Sequence, residues 1–380
     1  MKKKRKIIFI APEPLTQFTK KMYNIKEFLI AGFDVEYWDL HPFLYHKRSL
    51  PDEAKDSYIY LMNSFESFSE RLNTIEVHNA IFILITGDNW KTRKIVHLLS
   101  DKKCKVITVN YYASANTNLS FLRIIKRAFY SNILKKAINL FNAYRYKFYK
   151  KTHNISPFIC CFSTSFQGSD RINLPDYELY KKLKTENNTL VEESYILFID
   201  VFYPLHPDLR DFGTDSPSNA VDYYSSMRLF FDNLEKKFNM PVIIAAHPKA
   251  IYNNNEFGNR KIIKYATGQL IQHADFIVLH ASNSISFAVL FNKPVAFIKT
   301  AGMRTFEKFT FYISSAAQLF GKNVFNIDKQ LFEDFSFSCI DSNIAENYIN
   351  NYLTSPQTKD KSNDDILIQK INCIFNSTAT

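Results

Sequence analysis

Two short strings combine residue types and spacing suited to chemistry. An apolar run, Val242-Ile243-Ile244-Ala245-Ala246, leads straight into His247-Pro248-Lys249. A second run, Phe276-Ile277-Val278-Leu279, ends at His280-Ala281-Ser282-Asn283-Ser284 and opens an apolar helix that stops before Lys293-Pro294. An imidazole at a strand end can donate to a phosphate or titrate near neutrality, and Pro248 would fix the turn that presents it. Hydroxyls and unpaired backbone N–H groups at a helix start make an anion site. Each string alone has a plainer reading, a histidine satisfied by a nearby carbonyl and a Ser/Asn helix cap. Both lie at the carboxyl ends of parallel-type strands, where open α/β sheets bind ligands, and together they indicate a nucleotide site.

Between them runs Gly258-Asn259-Arg260-Lys261-Ile262-Ile263-Lys264-Tyr265-Ala266-Thr267, read as a short strand and turn leading into helix Gly268 to His273. Lys249, Lys264, Tyr265, Thr267 and His280 are therefore phosphate- or nucleotide-side candidates, although Thr267 also reads as a plain N-cap. No Asp-x-Asp occurs, and no cluster of His, Cys and carboxylate has metal-ligand spacing. No metal or cofactor is expected.

The elements that must position these residues alternate along the chain. Ile7 to Ala11 reads as a strand, Thr16 to Ala31 as an amphipathic helix stopped by Gly32, and Val35 to Trp38 as a second strand. A polar helical region around Glu53 to Leu72 precedes strand Ala80 to Ile85, helix Lys91 to Ser100 and strand Val106 to Asn110. Phe158 to Phe162 is a further strand, and a new α/β pattern begins at Tyr195 to Asp200, followed by a helix from about Asn219 to Phe238. Continuous apolar strands alternating with helices predict parallel sheets covered on both faces. At 380 residues two domains are expected. These are an N-terminal Rossmann-like domain over 1–190, a C-terminal Rossmann-like domain over 191–355, and a linker with closing helix over 356–380.

The net charge of +11 belongs to one segment. From Lys102 to Ser169 there are twelve Lys or Arg and no Asp or Glu; without those twelve, the 48 basic residues fall to 36 against 37 acidic ones. Within it, 119–151 reads as a basic amphipathic helical stretch in which Arg123, Lys126, Arg127, Lys135 and Lys136 alternate with apolar and aromatic residues. This composition suits an anionic membrane surface. A solvated helix face and nucleic-acid contact through 102–169 are the other readings. No zinc finger, RNP-like string or Gly-Lys-Ser/Thr loop supports nucleic acid as a partner. No window approaches the roughly 18 uninterrupted apolar residues of a spanning helix. Five cysteines in no metal spacing fit a reduced, cytoplasmic compartment.

His-Pro after a buried strand, followed some thirty residues later by a Ser-rich helix start, resembles bacterial GT-B glycosyltransferases of surface polysaccharide assembly (capsule, O-antigen and lipooligosaccharide). The sialyltransferase-like groups are the most similar. The resemblance is to motifs over residues 195 to 300 and to architecture alone over 1 to 190. It implies an α/β GT-B fold, two Rossmann-like domains with parallel sheets facing across a cleft. It implies a sugar moved from a nucleotide donor, foremost a CMP-activated nonulosonic acid with UDP- or GDP-sugars open, onto a glycan or lipid-linked glycan at the inner face of the cell membrane. His247 then corresponds to the His of His-Pro, contacting the donor phosphate and serving as general acid, and Ser282 with Asn283 to the Ser/Thr pair on that phosphate. Gly258 to Thr267 would line the base and ribose pocket. The acidic Asp/Glu-Asp/Glu-Gly element that supplies the base in that family is absent here, the nearest string being Asp211-Phe212-Gly213. A base must reach the acceptor hydroxyl; Asp200 leads by position, with Asp208, Asp211 and Asp88 as alternatives.

Overall fold

The computed structural model describes residues 4–45, 53–111, 133–164, 168–186, 188–205, 220–252, 255–305 and 307–377. Among these, the chain divides into two compact units at Pro175 and again at Thr354. Of the described residues, the first unit comprises those up to Pro175 together with those from Thr354 onward, and the second those of Asp176–Leu353. The boundary therefore falls earlier than residue 190, and the closing helix belongs to the first unit.

The first unit carries β1 (Lys6–Ala11), β2 (Asp34–Asp39), β3 (Ile59–Leu61), β4 (Ala80–Leu84), β5 (Lys105–Asn110), β6 (Cys160–Ser163) and β7 (Asp170–Arg171). They form one sheet in the order β3-β2-β1-β4-β5-β6-β7. Every neighbouring pair is parallel. The second unit carries β8 (Ile196–Ile199), β9 (Val242–Ala246), β10 (Ile262–Lys264), β11 (Phe276–Leu279), β12 (Val295–Lys299) and β13 (Val324–Asn326). Their order is β10-β9-β8-β11-β12-β13, again all parallel. Counted within each unit, both sheets begin 3-2-1-4-5-6, the doubly wound Rossmann order.

The central strands are apolar throughout because both faces are covered. In the first sheet, Ile7, Phe9, Ile81 and Ile83 pack in one core, while Ile8, Ile10, Phe82 and Leu84 pack with Trp38 in the other. In the second sheet, Leu197, Ile199, Ile243, Ala245, Ile277 and Leu279 enter one core, and Ile196, Phe198, Val242, Ile244 and Val278 enter the opposite one. This period of two sends alternate side chains of one strand into different layers.

Three expectations change. The helix over Thr16 to Ala31 breaks at Asn24, whose φ of 54° is left-handed, leaving helices Gln17–Met22 and Ile25–Ile30. Asn is among the few residues that adopt this conformation at modest cost. Around Glu53 to Leu72 the chain adds edge strand β3 before helix Phe65–Asn73, which Ser64 caps by accepting the Ser67 N–H at 3.2 Å. The polar stretch before the closing helix Asn363–Asn376 carries a buried clasp through Thr354, Thr358 and Asn363. Asn173 is fully buried, and its N–H donates to Asn363 Oδ1 at 2.8 Å. Its side-chain amide donates to the Thr358 and Lys361 carbonyls at 3.0 and 2.9 Å, and its Oδ1 accepts from the Thr354 hydroxyl at 2.6 Å. Asn363 Nδ2 returns a bond to the Asn173 carbonyl at 2.8 Å. The clasp seats the helix so that Leu367, Ile371, Ile374 and Phe375 fill the first core.

Replacing Asn173 strands several buried partners at once, so Asn173→Ala is expected to cost about 3 kcal/mol or more. Ile371→Ala, which opens a cavity in the same layer, should cost about 2–5 kcal/mol. Urea denaturation followed by fluorescence measures both.

Candidate functional site

In a sheet of this order the crevice lies at the carboxyl ends of the strands, where the winding reverses. In the second unit that point falls between β8 and β11, with β9 on the other side of β8. Asp200 follows β8, His247 follows β9, and His280 to Ser284 follow β11. Residues separated by some eighty positions thus share one end of one sheet.

Asp200 is 2% exposed. Its Oδ2 accepts the Tyr252 phenol, whereas Oδ1 has no hydrogen-bond partner at ordinary geometry. Burial pushes the carboxyl up to about 6, opposed by the Tyr252 hydroxyl and by the N–H groups of Phe202, His247 and Val201, which face it. Phe202, at φ 55°, turns the chain back after β8 and packs edge-on against the Tyr252 ring at 5.7 Å. Asp200 consequently links the ends of β8 and β9. Tyr252 has no signal in the sequence beyond its place shortly after His247.

His247 is half-buried, and its Nδ1 accepts the Lys249 N–H at 3.2 Å. In the neutral ring this places the proton on Nε2, which makes that nitrogen a donor. Pro248 and Lys249 are exposed. The Lys264 ammonium donates to the Ala250 carbonyl, and the exposed Tyr265, at φ 61°, brings its hydroxyl to 3.5 Å from the Pro248 carbonyl. The end of β10 thereby braces the His247 loop. Thr267 is the first helical residue and not the cap; Ala266 holds that position without a side-chain bond.

His280 has a different role from the one expected. It is fully buried, with Nδ1 2.8 Å from the Ile298 carbonyl and Nε2 2.8 Å from the Tyr223 hydroxyl. Burial lowers its pKa to about 4, against the raising effect of the Ile298 carbonyl. The neutral ring donates from Nδ1 and accepts from Tyr223, so neither nitrogen is available to a phosphate. The sequence offers no sign that Tyr223 is its partner.

The Ser-rich turn is also more self-contained than a helix-start anion site requires. The helix after it, Ile285–Leu290, is six residues long. The N–H of Ser284 goes to Ser282 Oγ at 3.2 Å, and those of Ile285, Ser286 and Phe287 go to the carbonyls of Ser282, Asn283 and Ser284. What the turn offers a ligand is its side chains, the half-buried Ser282 and Ser284 hydroxyls and the exposed Asn283 amide.

In the first unit, Asp88 lies just beyond β4, beside that sheet's own reversal between β1 and β4. Its Oδ1 accepts the Tyr146 phenol and its Oδ2 the Lys150 ammonium at 3.0 Å. Both partners come from helix Ile133–Thr152, and a cavity of about 440 Å³ adjoins Asp88 and Lys150, lined also by Val96, Lys151, Pro157 and Phe158. Asp208 and Asp211 lie outside the described residues, as do Arg123, Lys126 and Arg127. Lys135 and Lys136 fall in the first turn of helix Ile133–Thr152. Among the described residues, no group of three His, Cys, Asp or Glu could hold a metal ion.

No protein-family model matches the chain, and no curated protein does. Among solved structures it is similar to CalG4, the calicheamicin glycosyltransferase, at 9% identity and a TM-score of 0.49 over 100% of each chain. It is similar to the wall teichoic acid polymerase TagF at 11% identity and 0.45, over 99% of this chain and 89% of that one. Acinetobacter baumannii MurG is similar at 9% and 0.43, over 87% and 88%. Overlaps this loose carry no conclusion about activity.

Because the folded-state value for Asp200 lies above the ordinary 3.8, its stabilising contribution is complete below about pH 4 and lost as pH rises through about 6. Asp200→Asn, which mimics the protonated form, is expected to raise stability at pH 8 by at most about 3 kcal/mol and to leave it unchanged near pH 4. Parallel thermal melts at the two pH values measure the difference. Tyr223→Phe leaves His280 Nε2 buried without a donor and should cost about 1–3 kcal/mol in the same assay.

Proposed function

We propose that the chain is a metal-independent GT-B glycosyltransferase of surface-polysaccharide assembly, moving a sugar from a nucleotide donor onto a glycan or lipid-linked glycan. The observation that carries this reading is the convergence of Asp200, His247 and the Ser282 to Ser284 turn at the ends of β8, β9 and β11, which flank the reversal point of a Rossmann sheet. The donor nucleotide belongs to this unit. Its acceptor would be met at the inner face of the cell membrane, with the protein peripheral to the cytoplasmic leaflet.

In the reaction, the acceptor hydroxyl oxygen bonds to the anomeric carbon as the bond from that carbon to the phosphate oxygen breaks. The electron pair leaves with the nucleotide, and the hydroxyl proton passes to a base. His247 Nε2–H and the hydroxyls of Ser282 and Ser284 would donate to the departing phosphate, where charge develops. To serve as the acid, His247 would take up a second proton at Nδ1 and give up the bond from the Lys249 N–H. A small donor set of one imidazole and two hydroxyls suits a single phosphate, which favours a CMP-activated nonulosonic acid over the diphosphate of a UDP- or GDP-sugar.

Asp200 is the proposed base, taking the proton at Oδ1. A carboxyl titrating at about 6 is ionised at neutral pH and still a competent acceptor. At 2% exposure it reaches an acceptor only once the Tyr252 loop opens. If that loop stays shut, Asp200 is instead a positioning residue that holds the His247 backbone.

Thermal shift against CMP, CDP, UDP and GDP tests the donor. CMP is expected to stabilise the protein and His247→Ala to abolish the shift; stabilisation by UDP or GDP alone replaces the CMP donor, and no shift with any nucleotide overturns the reading. With an active donor–acceptor pair, His247→Ala should lower kcat by about 10²–10³. Activity should survive a chelator, and loss of turnover in EDTA that added Mg²⁺ restores would overturn metal independence.

A further inference from the structure

Helix Ile133–Thr152 is held to the first unit by one side of its last turns. Tyr146 is buried with its phenol on Asp88, Lys150 reaches the same carboxylate, and the Tyr149 hydroxyl lies 2.8 Å from His97 Nδ1. At 3.6 residues per turn the side opposite these three carries Leu140, Phe141, Tyr144 and Phe148. They are 72%, 58%, 74% and 62% exposed. A docked helix ordinarily turns its apolar stripe to the core and its charges to water. Here the stripe turns away from the core.

The surroundings of the stripe are cationic. Lys147 flanks it on one side, and Lys151 continues the stripe just beyond Phe148, both exposed. Arg145 flanks it on the other, its guanidinium 5.2 Å from the Phe141 ring and 4.1 Å from that of Trp90. No Asp or Glu occurs between Lys102 and Ser169. A second copy packed by the same face would set like charges against each other, whereas a surface of lipid phosphates is the complementary partner.

We propose that Leu140, Phe141, Tyr144 and Phe148 enter the headgroup and acyl boundary of an anionic bilayer, with Arg145, Lys147 and Lys151 on the lipid phosphates. The helix then lies in the plane of the interface. Among the described residues no helix is long and apolar enough to cross a membrane, so this is attachment to one leaflet. It deepens the membrane part of the proposed function but shares no residue with the nucleotide site, so either can fail alone.

The test is flotation of the full chain with phosphatidylcholine vesicles, with and without about one third phosphatidylglycerol. The wild type should float with the anionic vesicles only, and less as salt rises. Phe141→Ser/Tyr144→Ser/Phe148→Ser should lower the partition coefficient at least about tenfold, and Lys147→Glu/Lys151→Glu should erase the preference for anionic lipid. The altered residues face solvent, so melting temperature and nucleotide response should match the wild type. If the triple variant misfolds, Phe148→Trp decides: its added indole fluorescence should shift blue and be quenched by brominated lipid. Wild type left in the supernatant, a triple variant that floats equally, or indole fluorescence in Phe148→Trp that vesicles leave unmoved overturns the proposal. So does a dimer in sedimentation velocity that the triple variant abolishes, which marks a contact between copies. Tight RNA binding by wild type that does not float marks a nucleic-acid face.

Discussion

Burial of the central strands on both faces governs the rest of this molecule. Strands such as Ile196–Ile199 and Val242–Ala246 send alternate side chains into two different cores, so no position within them can carry polar chemistry without stranding it. Polar groups are confined to where the strands stop. Because every pair in both sheets is parallel, the useful ends all lie on the same edge, and the order 3-2-1-4-5-6 separates the helices of successive strands at one place. The candidate site follows from that restriction.

Beneath the site lies a second set of polar residues, of which Asp200, His280 and Tyr223 are buried. His280 and Tyr223 satisfy each other, with the Ile298 carbonyl completing the chain, and Asp200 holds Tyr252 while facing the His247 N–H. These bonds tie the ends of β8, β9, β11 and β12 to the tyrosine-rich layer of the neighbouring core. Their effect is positional: His247 and the Ser282 turn are presented from loops whose roots are fixed. The burial that raises the Asp200 carboxyl also keeps it from solvent.

Much of the fold is legible in residues 6–110 and 195–300, where unbroken apolar runs bounded by turns leave little choice of element. The ends of those runs are legible too, and with them the strand-end positions of His247, Ser282 and Asp200. His280 misleads because a histidine at a strand end looks the same whether it meets a ligand or a carbonyl, and only the approach of Tyr223 and Ile298 distinguishes the two. The Ser282 turn is a helix start, as its residues indicate, but its N–H groups are used locally. The polar residues from Thr354 to Asn363 read as linker because a buried hydrogen-bonded clasp and a solvated loop draw on the same amino acids. The break at Asn24 is hidden for a related reason: an apolar period continues through one left-handed residue.

Sequence alone dictates the period and polarity of each element, the positions at which strands end, and the confinement of excess positive charge to residues 102–169. Those properties are local, set by neighbours a few residues apart. The three-dimensional packing decides which strand ends become neighbours, which polar side chains are consumed in holding them, and that the closing helix returns to the first unit through Asn173. It also decides that Phe141, Tyr144 and Phe148 face outward while Tyr146 and Tyr149 are taken by Asp88 and His97. A helix with aromatic residues on several sides does not specify which side is buried; the partners available on the neighbouring elements do.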